Sequence, residues 1–263
     1  MPSLFWFRSD LRTLDNTALF AACKASNDGV IALFVISPGE WRVHDFAPVK
    51  VDLMLRSLEV LSASLAELNI PLRIIEASKP TDVPKHVLKF AQDHSCDSLY
   101  FNKEYEVNES QRDEKAKSLF ELADKHVYIF TDQVVLEPGS VRTGEGNYYT
   151  VFSPFKRAWI KHASQKQAIK LADKPKKQPP SNTLASLIPQ HVGGFESQIP
   201  DTLWPAGEHH ARKALTYFVN KRINDYKPAR DVPAVLGTSS LSPYLAIGCI
   251  SPRQCIHAAM QAN

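Results

Sequence analysis

The sequence predicts an α/β fold, a five-stranded parallel sheet followed by a long connector and a helical segment. Three observations carry that expectation. Short β-branched or aromatic runs alternate with longer amphipathic stretches over the first 130 residues; a stretch rich in Lys, Pro and small residues comes next; and helical spacing returns near residue 207. At 263 residues the chain could form one large domain or two ordinary ones, with room for a sizeable core. Its 44% apolar and 22% charged residues exclude collagen-like and disordered classes.

The five strands are "LFWF" (4–7), "VIALFVI" (30–36), "PLRII" (71–75), "SLYFN" (98–102) and "VYIF" (127–130), runs suited to a sheet buried on both faces. The clearest helix covers about 47–68, where Val51, Met54, Leu55, Leu58, Leu61, Leu65 and Leu68 make one apolar stripe. A further helix opens near Thr81, and the next begins at Asn108, where Asn108 and Gln111 can cap the first turn. Past residue 130 the sequence reads as turns and then a short helix entered at Ser153-Pro154. "KLADKPKKQPPSNTLASLIPQHVGGFESQIP" has no sustained period and predicts an exposed connection. From 207 onward Ala211, Leu215, Phe218, Val219 and Ile223 share one helical face. The expected division is therefore 1–130, a connector over 131–200, and the start of a helical domain over 201–263. Its last fifty or so residues are too few to close a core unless they lean on the first domain or on a further segment.

A net charge of +3 permits a nucleic-acid partner without demanding one. Cys23, Cys96, Cys249 and Cys255 show neither a CxxC pair nor metal-ligand spacing, so they read as reduced core thiols. The opening "MPSLFWFRSDLR" has only a four-residue apolar run, and "VIALFVI" is too short to span a bilayer, so a soluble cytoplasmic protein is expected.

In an open α/β sheet, ligands bind beyond the carboxyl ends of the strands. After the first strand, "RSDLRTLDN" places Arg8, Asp10, Arg12, Asp15 and Asn16 where a dinucleotide-binding turn would carry G-x-G-x-x-G, which argues against ordinary NAD binding. These arginines and carboxylates are best satisfied by one another. After the second strand, Trp41 and His44 form either a wall for a flat heterocycle or a packing lid. After the fourth, Asn108 and Glu109 stand at a helix start. A carboxylate there can take two hydrogen bonds from an amino-imine edge, or serve only as an acidic first turn. Near the end, Thr238, Ser239, Ser240 and Ser242 cluster beside two helix starts, Ser242-Pro243 and Ser251-Pro252, and Gly248 can end the helix between them. The cluster reads as a phosphate grip or as two capped helices. His209 and His210 are adjacent, not helically spaced, so no metal site is expected from them, and Lys156, Arg157 and Lys161 read as a solvated face.

Three stretches, "FWFRSDLRTLDN", "YEVNESQRD" and "RDVPAVLGTSSLSPYLAIGCISPRQ", occur in that order and together resemble the photolyase/cryptochrome family. The chain is most similar to its folate-carrying bacterial branch, which repairs cyclobutane pyrimidine dimers in DNA. The resemblance implies a Rossmann-like antenna-binding domain, a connector and the start of an all-helical FAD-binding domain. It implies that Tyr226, Thr238, Ser239, Ser240, Leu241 and Ser242 hold the FAD diphosphate and ribityl region; Ser240 stands where relatives often carry a basic residue. It assigns Asn108, Glu109, His44 and Trp41 to a 5,10-methenyltetrahydrofolate antenna and Arg230 to the DNA backbone. No catalytic residue and no metal ligand is assigned. The implied reaction is light-driven electron transfer from reduced FAD to a flipped-out pyrimidine dimer in damaged DNA, by a monomer with no membrane partner. Relatives continue for roughly two hundred residues, the size of a full domain, so the chain is expected to be truncated and a poor catalyst by itself. The competing readings are a cryptochrome-like blue-light receptor and a stand-alone folate- or nucleotide-binding module.

Overall fold

The computed structural model describes residues 1–164 and 169–262. Strands β1 (Ser3–Phe7), β2 (Val30–Ile36), β3 (Leu72–Glu76), β4 (Ser98–Asn102) and β5 (His126–Phe130) form one parallel sheet in the order β3-β2-β1-β4-β5. Ser3 of β1 pairs with Val30 on one side and Ser98 on the other. The three inner strands are buried along their whole length, which accounts for their unbroken apolar runs. The edge strand β5 alternates between exposed and half-buried positions.

The helices in chain order are α1 (Thr17–Ala25), α2 (Pro38–Val43), α3 (Pro48–Glu67), α4 (Val83–Asp93), α5 (Val107–Leu122), α6 (Phe152–Ala163), α7 (Glu208–Lys221), α8 (Tyr226–Ala229), α9 (Ser242–Ala246) and α10 (Pro252–Gln261). Alternation along the strands divides the core in two, as a period of two requires. Phe5, Phe7, Ala32, Phe34 and Ile36 face α1 and α3, whereas Leu4, Trp6, Ile31, Leu33 and Val35 face α4 and α5. The first of these cores continues without a break into Ala211, Leu215, Leu241, Tyr244, Ile247 and Ile250. The carboxyl-terminal helices therefore lean on the sheet domain. No helix among the described residues is long and apolar enough to cross a membrane.

Several element boundaries differ from expectation. Thr81 lies in a 3-10 turn, Pro80–Asp82, ahead of α4. Helix α5 starts at Val107 with Glu106 at the N-cap, so Asn108 is inside the first turn and does not cap it. Phe152 begins α6, and Ser242 is the first residue of α9 with Leu241 before it, neither helix having a side-chain cap. Ser251 does cap α10, in a reciprocal capping box with Gln254. The connector has no regular helix or strand among its described residues between Ala163 and Glu208, but it is not free. Ser186 donates its amide to Leu72 O at 2.8 Å and accepts from the Ile74 amide at 3.1 Å, and Gln178 donates to Leu68 O at 2.9 Å. The two Ser186 bonds cover the outer edge of β3, which would otherwise expose unpaired backbone groups, and the Gln178 bond meets the end of α3.

Candidate functional site

Helices α2 and α5 follow β2 and β4, and their side chains meet on the rim beyond the sheet. His44 Nε2 lies 3.5 Å from Glu109 Oε1 and 3.5 Å from Asn108 Nδ2. Arg112, one turn on from Asn108 and Glu109, donates to Glu40 at 3.2 Å and to Asp113 at 3.1 Å, and it also ion-pairs with Glu104. Its guanidinium lies 5.0 Å from the Trp6 ring centroid. Burial alone would raise the Glu104 carboxyl, but Arg112 and Arg8 outweigh it and hold that group down at about 2. Burial wins at Glu40, whose pKa is raised despite Arg112, and burial lowers the neighbouring Lys50.

Two cavities flank this cluster and share Glu40 and Arg112. The smaller, about 80 Å³, is lined by Trp41, Lys50, Glu104 and Glu109 and is closed by Ala246 and Ile247 from the carboxyl-terminal part. The larger, about 360 Å³, is lined by His44, Thr81, Asn108 and Lys115 and falls within the size range of small-ligand sites. Glu109 Oε2 is buried and has no hydrogen-bond partner among the described residues. Such an orphan costs about 1–3 kcal/mol until a donor meets it, so the residues present fit a ligand that offers N–H groups. Trp41 is only 5% exposed, stacks on Phe46 at 6.4 Å and meets Phe195 edge-on at 5.8 Å, so packing is its main work. One ligand atom each from Glu40, His44 and Glu109 lies within 4.8 Å of the others, with Arg112 already set against Glu40.

The loop after β1 holds the two parts of the chain together. Its charged side chains pair chiefly with distant residues, not with one another as the sequence suggested, and Arg8 Nε and Arg12 Nε keep no partner among the described residues. Arg8 pairs with Asp113, Arg12 with Asp132, and Asp15 with Arg253 of α10. Arg253 also reaches Asp132 at 2.7 Å and Thr17 at 3.1 Å. Glu208, in the first turn of α7, accepts from the Thr13 and Leu14 amides at 2.9 and 3.1 Å, while the Leu11 amide and an Arg12 nitrogen donate to Ile247 O and Gly248 O.

On the far side of α9 lies an open groove of about 680 Å³, lined by Thr238, Ser240 and Ser242 on one wall and His210, Lys213 and Tyr217 on the other. The three hydroxyls make no side-chain hydrogen bond to another described residue. Hydroxyls free to rotate, with a lysine in the same groove, fit a phosphate-bearing ligand.

A family profile described as DNA photolyase matches residues 3–180. The chain belongs to the DNA photolyase family. Photolyase relatives agree along nearly all of it: a deoxyribodipyrimidine photo-lyase of Vibrio cholerae is 40% identical over 96% of this chain and 54% of its own length. One of Neurospora crassa is 37% identical over 98% of this chain and 45% of its own. The crystal structure of a bacterial class III photolyase from Agrobacterium tumefaciens is similar in fold with a TM-score of 0.83 and 26% identity, covering 98% of this chain and 52% of that one. The chain thus spans about half the length of the curated photolyase relatives it matches.

Of the residues singled out in the sequence, His44, Asn108 and Glu109 come together on one rim, and Thr238, Ser240 and Ser242 on one groove. Leu241 is buried in the core beneath that groove, and neither Ser239 nor Tyr226 lines it. Tyr226 instead packs edge-on against Phe218 at 5.8 Å, with the guanidinium of Arg230 5.8 Å from its ring. Arg230 is exposed and pairs with Asp231 at 3.4 Å. Glu40, Arg112 and Lys213 were not singled out. The turn-length spacing of Glu109 and Arg112 could have revealed the second of these, whereas Lys213 gains meaning only when α7 packs beside the serine-rich turn.

Proposed function

We propose that the chain carries the antenna site and the pyrophosphate grip of a light-driven photolyase acting on cyclobutane pyrimidine dimers in DNA. Its cofactors are FAD and 5,10-methenyltetrahydrofolate, and its partner is damaged DNA. The observation that carries this reading is the pairing of a rim holding a buried, unpartnered carboxylate oxygen at Glu109 with a hydroxyl-lined groove on the opposite end of α9. Glu109 takes N–H groups of the pterin edge, Asn108 and His44 fix its orientation, and Arg112 keeps the neighbouring Glu104 ionised. Thr238, Ser240 and Ser242 hold the FAD diphosphate, with the buried Leu241 anchoring the turn, while Ser239 and Tyr226 lie outside the groove. When bound, the folate gathers light and reduced FAD supplies the electron that splits the dimer and is then returned.

Arg230 contacts a DNA phosphate, because its exposed pair with Asp231 is weak enough to be exchanged. A reducing cytoplasmic setting is supported by the four free cysteines, whose thiols burial pushes up to about 12 for Cys23 and Cys96 and about 11 for Cys249 and Cys255. A monomer is the proposed state.

The test is titration of the purified chain with 5,10-methenyltetrahydrofolate, followed by absorbance. Saturable binding is expected, and Glu109→Gln should weaken it about tenfold or more through loss of a charged hydrogen-bond acceptor. No spectral change up to high ligand concentration, or equal affinity in the variant, would contradict the antenna assignment.

A further inference from the structure

The serine-rich wall of the groove has no cation of its own. In residues 237–254 the one basic side chain is Arg253, and its guanidinium is committed to Asp15, Asp132 and Thr17, where it lines a different cavity. The opposite wall is α7, on which His210, Lys213 and Tyr217 follow at three- and four-residue spacing along one exposed face while Ala211 and Leu215 turn into the core. Lys89 and Lys103 each meet a carboxylate at 2.7 Å, whereas Lys213 makes no ion pair and no side-chain hydrogen bond among the described residues. Hydroxyls can donate to a phosphate but cannot match its charge; an ammonium with three rotatable donors does both.

We infer that Lys213 is the charge-matching residue of the grip, pairing with the pyrophosphate of the dinucleotide held by Thr238, Ser240 and Ser242. This rests on the flavin reading of the groove. It makes α7 a second wall of the binding site, and it places the affinity for the phosphate portion of the ligand, not its rings, on one side chain outside the serine-rich turn.

The experiment is equilibrium titration of the whole chain, and of its Lys213→Gln and Lys213→Arg variants, with FAD and with riboflavin, which lacks phosphate. Lys213→Gln should weaken FAD about tenfold, Lys213→Arg should stay within about threefold of the unsubstituted chain, and neither substitution should change the response to riboflavin. Added salt should weaken FAD more in the unsubstituted chain than in Lys213→Gln. Lys213 is exposed, so thermal unfolding midpoints should coincide. Equal FAD affinity in Lys213→Gln would overturn the inference while leaving the flavin reading intact, and so would a parallel loss of riboflavin. Failure of the unsubstituted chain to bind FAD at all would overturn the flavin reading itself, and the inference with it.

Discussion

Gly248 has φ +73 where the carboxyl-terminal part crosses the loop after β1, and a Cβ there would lie 2.1 Å from Ser9 O and 2.4 Å from Asp10 Cα. Both neighbours are backbone, so neither can swing aside. Gly146 has a similar φ of +81 but nothing within 4 Å of such a Cβ, which makes it a control for conformational strain alone. Gly146→Ala should cost about 1 kcal/mol, whereas Gly248→Ala should cost at least about 3 kcal/mol because crowding adds to the strain. Urea denaturation of the two variants checks this, and equal losses would mean that the crossing is not tightly packed. The sequence offered Gly248 only as a helix stop; its closeness to Ser9 arises from tertiary packing and leaves no local signature. The same holds for Arg12 and Arg253, whose carboxylate Asp132 lies 120 and 121 positions away from them.

At the scale of elements, much of the fold was legible because burial on both faces leaves an unmistakable pattern. The inner strands β1, β2 and β4 were placed almost to the residue, and the stripe from Val51 to Leu65 marked α3. Helix starts were read less well. Asn108, Thr81 and Ser242 are good capping residues by type, yet each observed start differs by one or two residues and none of these three helices has a side-chain cap: Asn108 lies beside His44, and Ser242 opens onto the groove. Ser251 behaved as its type predicts because Gln254 closes the reciprocal bond locally. The connector was legible as irregular but not as a cover for β3, since its bonds to Leu72 and Ile74 join residues more than a hundred positions apart. Of the candidate sites, the residues at α2 after β2 and at the start of α5 after β4 came together because a parallel sheet brings those loops to one rim. Tyr226 and Ser239 did not join the groove, since sequence proximity to a grip does not fix which way a turn faces.

At the scale of the whole molecule, α9 links the groove to the rim: Ser242 opens on the groove and Ala246 closes the smaller rim cavity, while the clasp built on Asp15, Asp132, Glu208 and Arg253 holds both parts in one arrangement. The buried carboxylates of this clasp and of the Arg112 cluster make stability depend on pH. Glu104, at about 2, and Asp132, also lowered, have folded-state values below the ordinary ones, so the stability they contribute is present above the unfolded range and is lost as pH falls through their folded values. Glu40 and Glu208 are raised by burial and act in the opposite sense, favouring the fold as pH falls toward the ordinary carboxylate range. Stability should therefore hold or rise slightly on going from neutral to about pH 5 and fall steeply below about pH 4, with on the order of 3 kcal/mol lost through Glu104 alone. Urea midpoints measured across that range provide the check, and an unchanged midpoint down to pH 2.5 or so would contradict it.

If the rim and the groove act as proposed, one chain holds a folate antenna and a flavin pyrophosphate at two separate, fixed sites. The most direct measurement is the fluorescence of bound 5,10-methenyltetrahydrofolate as FAD is added to the same protein. Both ligands should stay bound while folate emission falls by energy transfer to the flavin, and a Glu109→Gln variant should bind less folate, and show correspondingly less transfer, at the same concentrations. Displacement of folate by FAD, or folate emission unchanged with both ligands bound, would contradict it.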